Sequence, residues 1–125
     1  MTIRKEIELV TTAFVKAGDN SDANLLEVVL HNDFRVLSSE FMGKPGVTIL
    51  DKKQYINNIR KGIFGGKPRK MKIEKIDFFE TIATVTLSLE SAENSFVSYN
   101  SLVLDVDDRW KLIHNIAVVK AKNES

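Results

Sequence analysis

Cysteine is absent from this chain of 125 residues, which excludes disulfides, thiol nucleophiles and cysteine-ligated zinc or iron–sulfur sites together. The absence fits a reducing compartment, and the expectation is a cytoplasmic protein. Long apolar runs are also missing, and no stretch approaches the roughly 18 residues that a transmembrane helix needs. Behind the basic Arg4 and Lys5, the residues Glu6, Glu8 and Lys16 interrupt any apolar segment, so the N-terminus does not read as a signal peptide. An excess of one charge is lacking too. The formal net charge is +1, so no electrostatic reason exists to expect nucleic acid or an anionic membrane as partner. Repeats and low-complexity segments do not occur, nor does a linker long enough to separate domains.

What remains is an ordinary globular composition, 43% hydrophobic and 28% charged, which argues against disorder. The length suits one domain spanning 1–125. Such a domain buries about two-thirds of the surface its unfolded chain exposes, enough for a core without staples.

Ile3, Ile7, Val10, Phe14 and Ala17 recur at spacings of four and three, one stripe of a helix. Thr2 is placed to cap its start and Gly18 to end it in a left-handed turn. Asp19-Asn20-Ser21-Asp22 offers caps for a second helix with Leu25, Leu26, Val29 and Leu30 inward, ending near His31-Asn32-Asp33. Phe34 to Ser38 reads as a strand, Ser39 to Gly46 as a loop and Val47 to Leu50 as a short return strand. Asp51-Lys52-Lys53-Gln54 has the form of a capping box. It opens a third helix with Tyr55, Ile56, Ile59 and Ile63 inward, broken at Gly65-Gly66-Lys67-Pro68.

Four strand-like runs follow, Met71 to Phe79, Thr81 to Ser91, Ser95 to Val106 and Trp110 to Ala121. Hairpin-sized turns join them into an antiparallel meander. The last two runs carry apolar residues in both alternations: Val97, Tyr99 and Val103 oppose Phe96, Leu102 and Leu104, while Trp110, Leu112, Ile116 and Val118 oppose Ile113, Ala117 and Val119. A sheet covered on one face and wetted on the other is polar outward. Three helices cover one face only, so a second copy of the chain is the expected cover for the other.

This element order resembles the nuclear transport factor 2-like superfamily. The local text carries the likeness: Ala17-Gly18-Asp19 through Leu25-Leu26, then His31-Asn32-Asp33-Phe34-Arg35-Val36, looks like that superfamily's helix-to-strand entry. Ile76-Asp77, Ile82-Ala83, Ser101-Leu102-Val103-Leu104 and Asp108-Arg109-Trp110-Lys111-Leu112-Ile113 resemble its lumazine-binding-like branch. The likeness runs from about Ile7 to Lys120. It implies an α+β, cone-shaped, cystatin-like fold, with three N-terminal helices packed on a curved antiparallel sheet around a pocket. It also implies dimers through the outer sheet face.

The fold hosts isomerases, dehydratases, cyclases and adaptors, so it does not choose a function. The ketosteroid isomerases of this fold use a carboxylate base, a tyrosine and a protonated acid. The resemblance places Ser38, Thr11 and Leu102 at those positions, and none supplies that chemistry. His31 reads as a helix-end residue favoured by the dipole, and His114 as an outer-face residue. No ligand spacing supports a metal, and nothing asks for a cofactor. Gly62 to Lys67 lacks the order and the hydroxyl of a phosphate loop. Around it, Arg60, Lys61, Lys67, Arg69, Lys70 and Lys72 form a basic segment, either a solvated rim or an anion-attracting mouth.

For the pocket wall the inner alternation supplies Phe34, Val36, Ser38, Ser98, Asn100, Ile113, Asn115 and Ala117, with Phe14 and Tyr55 from the helices. The residues singled out for ligand binding are Phe14, Ser38, Tyr55, Asn100 and Asn115, with no catalytic or metal-binding residue named. A mostly apolar wall with a few amides and hydroxyls suits a small-molecule site. The expected function is a homodimer that binds a small aromatic or heterocyclic ligand. The alternatives are a lyase or isomerase using Tyr55, Asn100 or His31 on a carbonyl or polycyclic substrate, and an interaction adaptor.

Overall fold

The computed structural model describes residues 1–40 and 44–122. Helix α1 (Ile3–Asp19) starts where the Thr2 hydroxyl accepts from the Lys5 N–H at 3.1 Å. Its stripe buries Ile7, Phe14 and Ala17, while Ile3 stays exposed. The left-handed turn after α1 falls on Ser21 (φ 52°) and not on Gly18, which is still helical. Helix α2 (Ala23–Val29) is capped by Asp22, which accepts from the Leu25 N–H at 3.1 Å.

The second helix is shorter than its pattern. Strand β1 (Leu30–Ser39) begins at once, so His31 lies on a strand and caps no helix. Strand pairing wins here because Leu30 finds a sheet partner in Leu112. Strand β2 (Val47–Asp51) returns antiparallel to β1. Of the expected Ser39–Gly46 loop, residues 41–43 lie outside the described part of the chain. The capping box at the start of α3 (Lys52–Arg60) is complete: Gln54 N–H donates to Asp51 Oδ1 at 2.8 Å, and Asp51 N–H to Gln54 Oε1 at 2.9 Å. Helix α3 buries Ile56 and Ile59 but stops at Arg60, because Gly62 turns left-handed (φ 74°). Ile63 is therefore beyond the helix and exposed.

Strands β3 (Lys70–Phe79), β4 (Ile82–Glu90), β5 (Asn94–Leu104) and β6 (Trp110–Ala121) form the meander. The single six-stranded sheet has the order β2-β1-β6-β5-β4-β3. Every joint is antiparallel except β1–β6, which is parallel. The α+β arrangement read from the sequence thus stands, with one parallel joint in its sheet. Ala83, Val85, Leu87 and Leu89 of β4 turn one face inward, into the same core as Ile7 and Phe14 of α1, Leu26 of α2 and Ile56 of α3.

One irregularity redistributes the apolar residues. Ser101 pairs with His114, but Leu102 pairs with Leu112, so Ile113 is an extra residue on β6. Such a bulge reverses the alternation beyond it. Trp110 and Leu112 therefore point into the core, 5% and 0% exposed, beside Leu104 and Leu102. The reading that put them on the same face as Ile116 and Val118 is corrected. The outer face keeps Tyr99 opposite Ile116, and Val97 opposite Val118, all at least one-third exposed. Leu37 and Ile49 extend that row across β1 and β2.

Candidate functional site

A cavity of about 310 Å³ opens between the inner sheet face, α1, α3 and the loop after α3. Phe14 and Gly18 come from α1; Tyr55 and Ile59 from α3; Ser38, Ser98, Asn115 and Ala117 from the sheet. The loop is held in place by backbone contact: the Gly66 N–H donates to the Gly18 carbonyl at 3.0 Å. Gly65, at φ +72°, sits so close to that carbonyl that a Cβ would collide with it. Glycine is thus required there for both conformation and space.

Aromatic rings make one wall. Phe14, Tyr55 and Phe64 line the space, and Phe34 packs behind them, fully buried. Phe14, Phe34 and Tyr55 lie with centroids 5.7–6.2 Å apart, and Tyr55 stacks on Phe64 at 5.9 Å. These are separations at which ring quadrupoles attract. Burial pushes the Tyr55 phenol up to about 12, against the pull of the nearby Arg69 cation and with a smaller push from Asp19. The phenol therefore stays protonated and can donate.

Polar side chains gather on the sheet side. Asn115 Nδ2 donates to Asn100 Oδ1 at 2.6 Å and to Ser98 Oγ at 2.8 Å. Asn100 Nδ2 donates to the Val85 carbonyl at 3.3 Å and to Ser98 Oγ at 3.1 Å. At the mouth, Arg69 Nε donates to Asp19 Oδ1 at 2.6 Å, and its guanidinium carbon lies 5.1 Å from the centre of the Phe96 ring. The basic segment is thus divided: Arg69 and Lys67 line the cavity, whereas Arg60, Lys61, Lys70 and Lys72 do not.

Four of the five residues singled out from the sequence, Phe14, Ser38, Tyr55 and Asn115, line this cavity. Asn100 lies behind them, 2% exposed, and orients Asn115 without lining the space. Sequence reasoning missed Phe64 and Phe96 in the wall and left Arg69 within a general basic segment. No periodicity marks Phe64, and the Arg69–Asp19 pair joins residues fifty apart. Among the described residues no carboxylate or histidine lines the cavity, and no group of acids and histidines could hold a metal. The Thr11 hydroxyl is occupied, donating to the Ile7 carbonyl at 2.8 Å. Leu102 is core, and His31 faces Asp105 at 3.7 Å, away from the cavity wall.

A family model described as "Putative lumazine-binding" matches residues 3–116. Among solved structures, a nuclear transport factor 2-like protein from Cytophaga hutchinsonii aligns with a TM-score of 0.82 at 20% identity, covering 96% of this chain and 100% of that one. One of unknown function from Shewanella baltica gives 0.79 at 16% identity, over 96% and 98%. A ketosteroid isomerase-like protein from Erwinia carotovora atroseptica gives 0.73 at 12% identity, over 90% and 92%. At these identities the likeness is one of fold. No curated protein matches the chain.

Proposed function

The chain belongs to the lumazine-binding-like family of the nuclear transport factor 2-like superfamily, and on that premise we propose that it is a small-molecule-binding domain that works as a homodimer. The observation that carries the reading is the cavity itself: about 310 Å³, walled by aromatic and aliphatic side chains, with a few oriented polar groups. Small-molecule sites have this make-up and run from roughly 300 to 1,000 Å³, so a compact ring system is the fitting ligand. Binding is favoured over isomerase chemistry because the described wall offers no carboxylate or imidazole to take a proton. The exposed apolar row of Val97, Tyr99, Ile116 and Val118 supports self-association through the outer face.

The test is titration calorimetry with lumazine and with riboflavin, on the wild type and on Ala117→Phe, which fills the cavity. Saturable binding by the wild type that Ala117→Phe abolishes, with the fold retained by circular dichroism, is the expected result. Absence of binding, or binding that Ala117→Phe leaves unchanged, would remove the cavity from the account. A second reading, a lyase or isomerase, keeps one group at the wall: the protonated Tyr55 phenol, a potential donor to a substrate carbonyl. It predicts turnover of a carbonyl substrate that Tyr55→Phe abolishes.

A further inference from the structure

The amides behind the cavity wall are arranged so that their orientation is dictated from one end. The Val85 backbone carbonyl can only accept, so the Asn100 atom facing it is the amide nitrogen. The Asn100 oxygen is thereby turned to Asn115, and the Asn115 atom that meets it at 2.6 Å must be a donor. Ser98 Oγ takes a second hydrogen from the same Asn115 nitrogen at 2.8 Å. The Asn115 carbonyl oxygen is what remains. It has no hydrogen-bond partner among the described residues, in a side chain only 5% exposed. Every sealed polar side-chain atom among those residues does have a partner, so this oxygen is not sealed. It opens onto the cavity that Asn115 lines.

A buried acceptor without a protein partner costs free energy unless water or a ligand donates to it. The rest of the polar wall does not compete for that role. Ser98 is engaged with both asparagines, while Ser38 and Thr48 carry hydroxyls that can donate or accept. The fixed element at this end of the cavity is an acceptor.

The mouth has the opposite character. Arg69 is held by Asp19 through Nε and through its own backbone N–H, at 2.6 and 3.3 Å, and lies against Phe96. These contacts fix the guanidinium yet leave Nη1 and Nη2 without a hydrogen bond among the described residues. Lys67, whose ion pair with Glu93 at 3.6 Å is solvent-exposed, adds a second cation to the same lining. The described wall thus contains two cations and no carboxylate. A planar guanidinium already oriented by one carboxylate presents its remaining donors as a fork suited to carboxylate or phosphate oxygens.

Resting on the small-molecule reading, we infer that the cavity selects a two-ended ligand: a planar ring carrying an N–H or O–H donor for Asn115, and an anionic substituent held by Arg69 at the mouth. The aromatic wall of Phe14, Tyr55 and Phe64 takes the ring. The ligand class is therefore ring-bearing organic anions, in preference to neutral polycyclic molecules.

Two matched probe pairs test this by calorimetry. The anion arm compares pterin-6-carboxylate with pterin, and the donor arm compares lumazine with its N-methylated forms. The carboxylate is expected to bind the wild type roughly tenfold or more tightly than pterin, the effect of one charge-assisted hydrogen bond. Arg69→Gln should abolish that preference, so that pterin and its carboxylate bind the variant with the same affinity. Methylation of the ring N–H that faces Asn115 should weaken binding by a similar factor in the wild type, a result that needs no variant to fold. Equal binding of pterin and its carboxylate, or a preference that survives Arg69→Gln, would overturn the anionic end. Indifference to methylation at every ring nitrogen would overturn the donor end. If both pairs bind and Ala117→Phe blocks them, such outcomes defeat the two-ended ligand alone. If neither pair binds, the small-molecule reading itself falls, and this inference with it.

Discussion

Leu102 lies directly across from Leu112, while its neighbour Ser101 lies across from His114. The residue between them on β6, Ile113, has no counterpart on β5, and this offset puts Trp110 and Leu112 inside the domain. Removing either side chain should therefore cost stability of the fold itself. Trp110→Ala is expected to lose about 3–5 kcal/mol and Leu112→Ala about 2–5 kcal/mol. Denaturant unfolding at fixed protein concentration reads both, and a loss under 1 kcal/mol for either would contradict their place in the core.

The outer face calls for the complementary change. Tyr99 is 56% exposed and pairs with Ile116 at the centre of the apolar row. A charge placed there should weaken a sheet-to-sheet dimer without touching the core, because the side chain has no inward contact to lose. Tyr99→Asp is expected to convert a sedimenting dimer to a monomer, with the circular dichroism spectrum unchanged. A wild type that sediments as a monomer across the micromolar range would contradict the expectation.

Gly62 and Gly65 share left-handed backbone, at φ +74° and +72°, but not surroundings. Among the described residues nothing lies within 4 Å of the Cβ position of Gly62, so Gly62→Ala should cost only the conformational penalty of about 1–2 kcal/mol. At Gly65 the added carbon meets the Gly18 carbonyl, which is backbone and cannot swing away. Gly65→Ala should cost clearly more, and it should also disturb the cavity mouth, where the loop meets α1. Parallel thermal melts of the two variants give the comparison.

The Tyr55 phenol sets an alkaline limit. Its folded value, about 12, lies above the ordinary value near 10, and burial is the first cause. Between those values the folded state keeps a proton that the unfolded state has released, so stability falls as pH rises. The contribution is fully present below about pH 10 and is lost through about pH 12, on the order of 2–3 kcal/mol in all. Tyr55→Phe should flatten that part of the stability profile, measured by denaturant unfolding from pH 9 to 12. An unchanged slope would mean that the phenol is wetted.

Acid acts elsewhere. Hydrogen bonds from Lys111 hold the Asp105 and Asp107 carboxyls below the usual carboxylate range. Their stabilising effect is present above the ordinary carboxylate value and fades as pH falls through their lowered values. Lys111→Met should weaken that acid-side dependence, read by denaturant unfolding across the acid range, and leave the alkaline one set by Tyr55. It should not remove the acid-side dependence, because the Val106 and Arg109 backbone N–H groups still donate to the two carboxylates.

The chain's own periodicities determined the elements. The stripe from Ile7 to Ala17, the Asp51–Gln54 box and the alternation of Ala83, Val85, Leu87 and Leu89 each express a local rule, and helix, cap and strand follow from neighbours a few residues apart. Ser38 and Asn115 were legible as inward residues for the same reason. The tertiary structure alone decided the rest. Whether Trp110 faces the core or the outside depends on one unpaired residue, Ile113, because a single offset in a ladder of period two exchanges the faces. The parallel β1–β6 joint, the end of α2 at Val29 and the Arg69–Asp19 contact depend on residues far apart in sequence, whose meeting no local pattern encodes. The orientation of Asn115 likewise comes from Val85 through Asn100, a relation that exists only once three strands lie side by side.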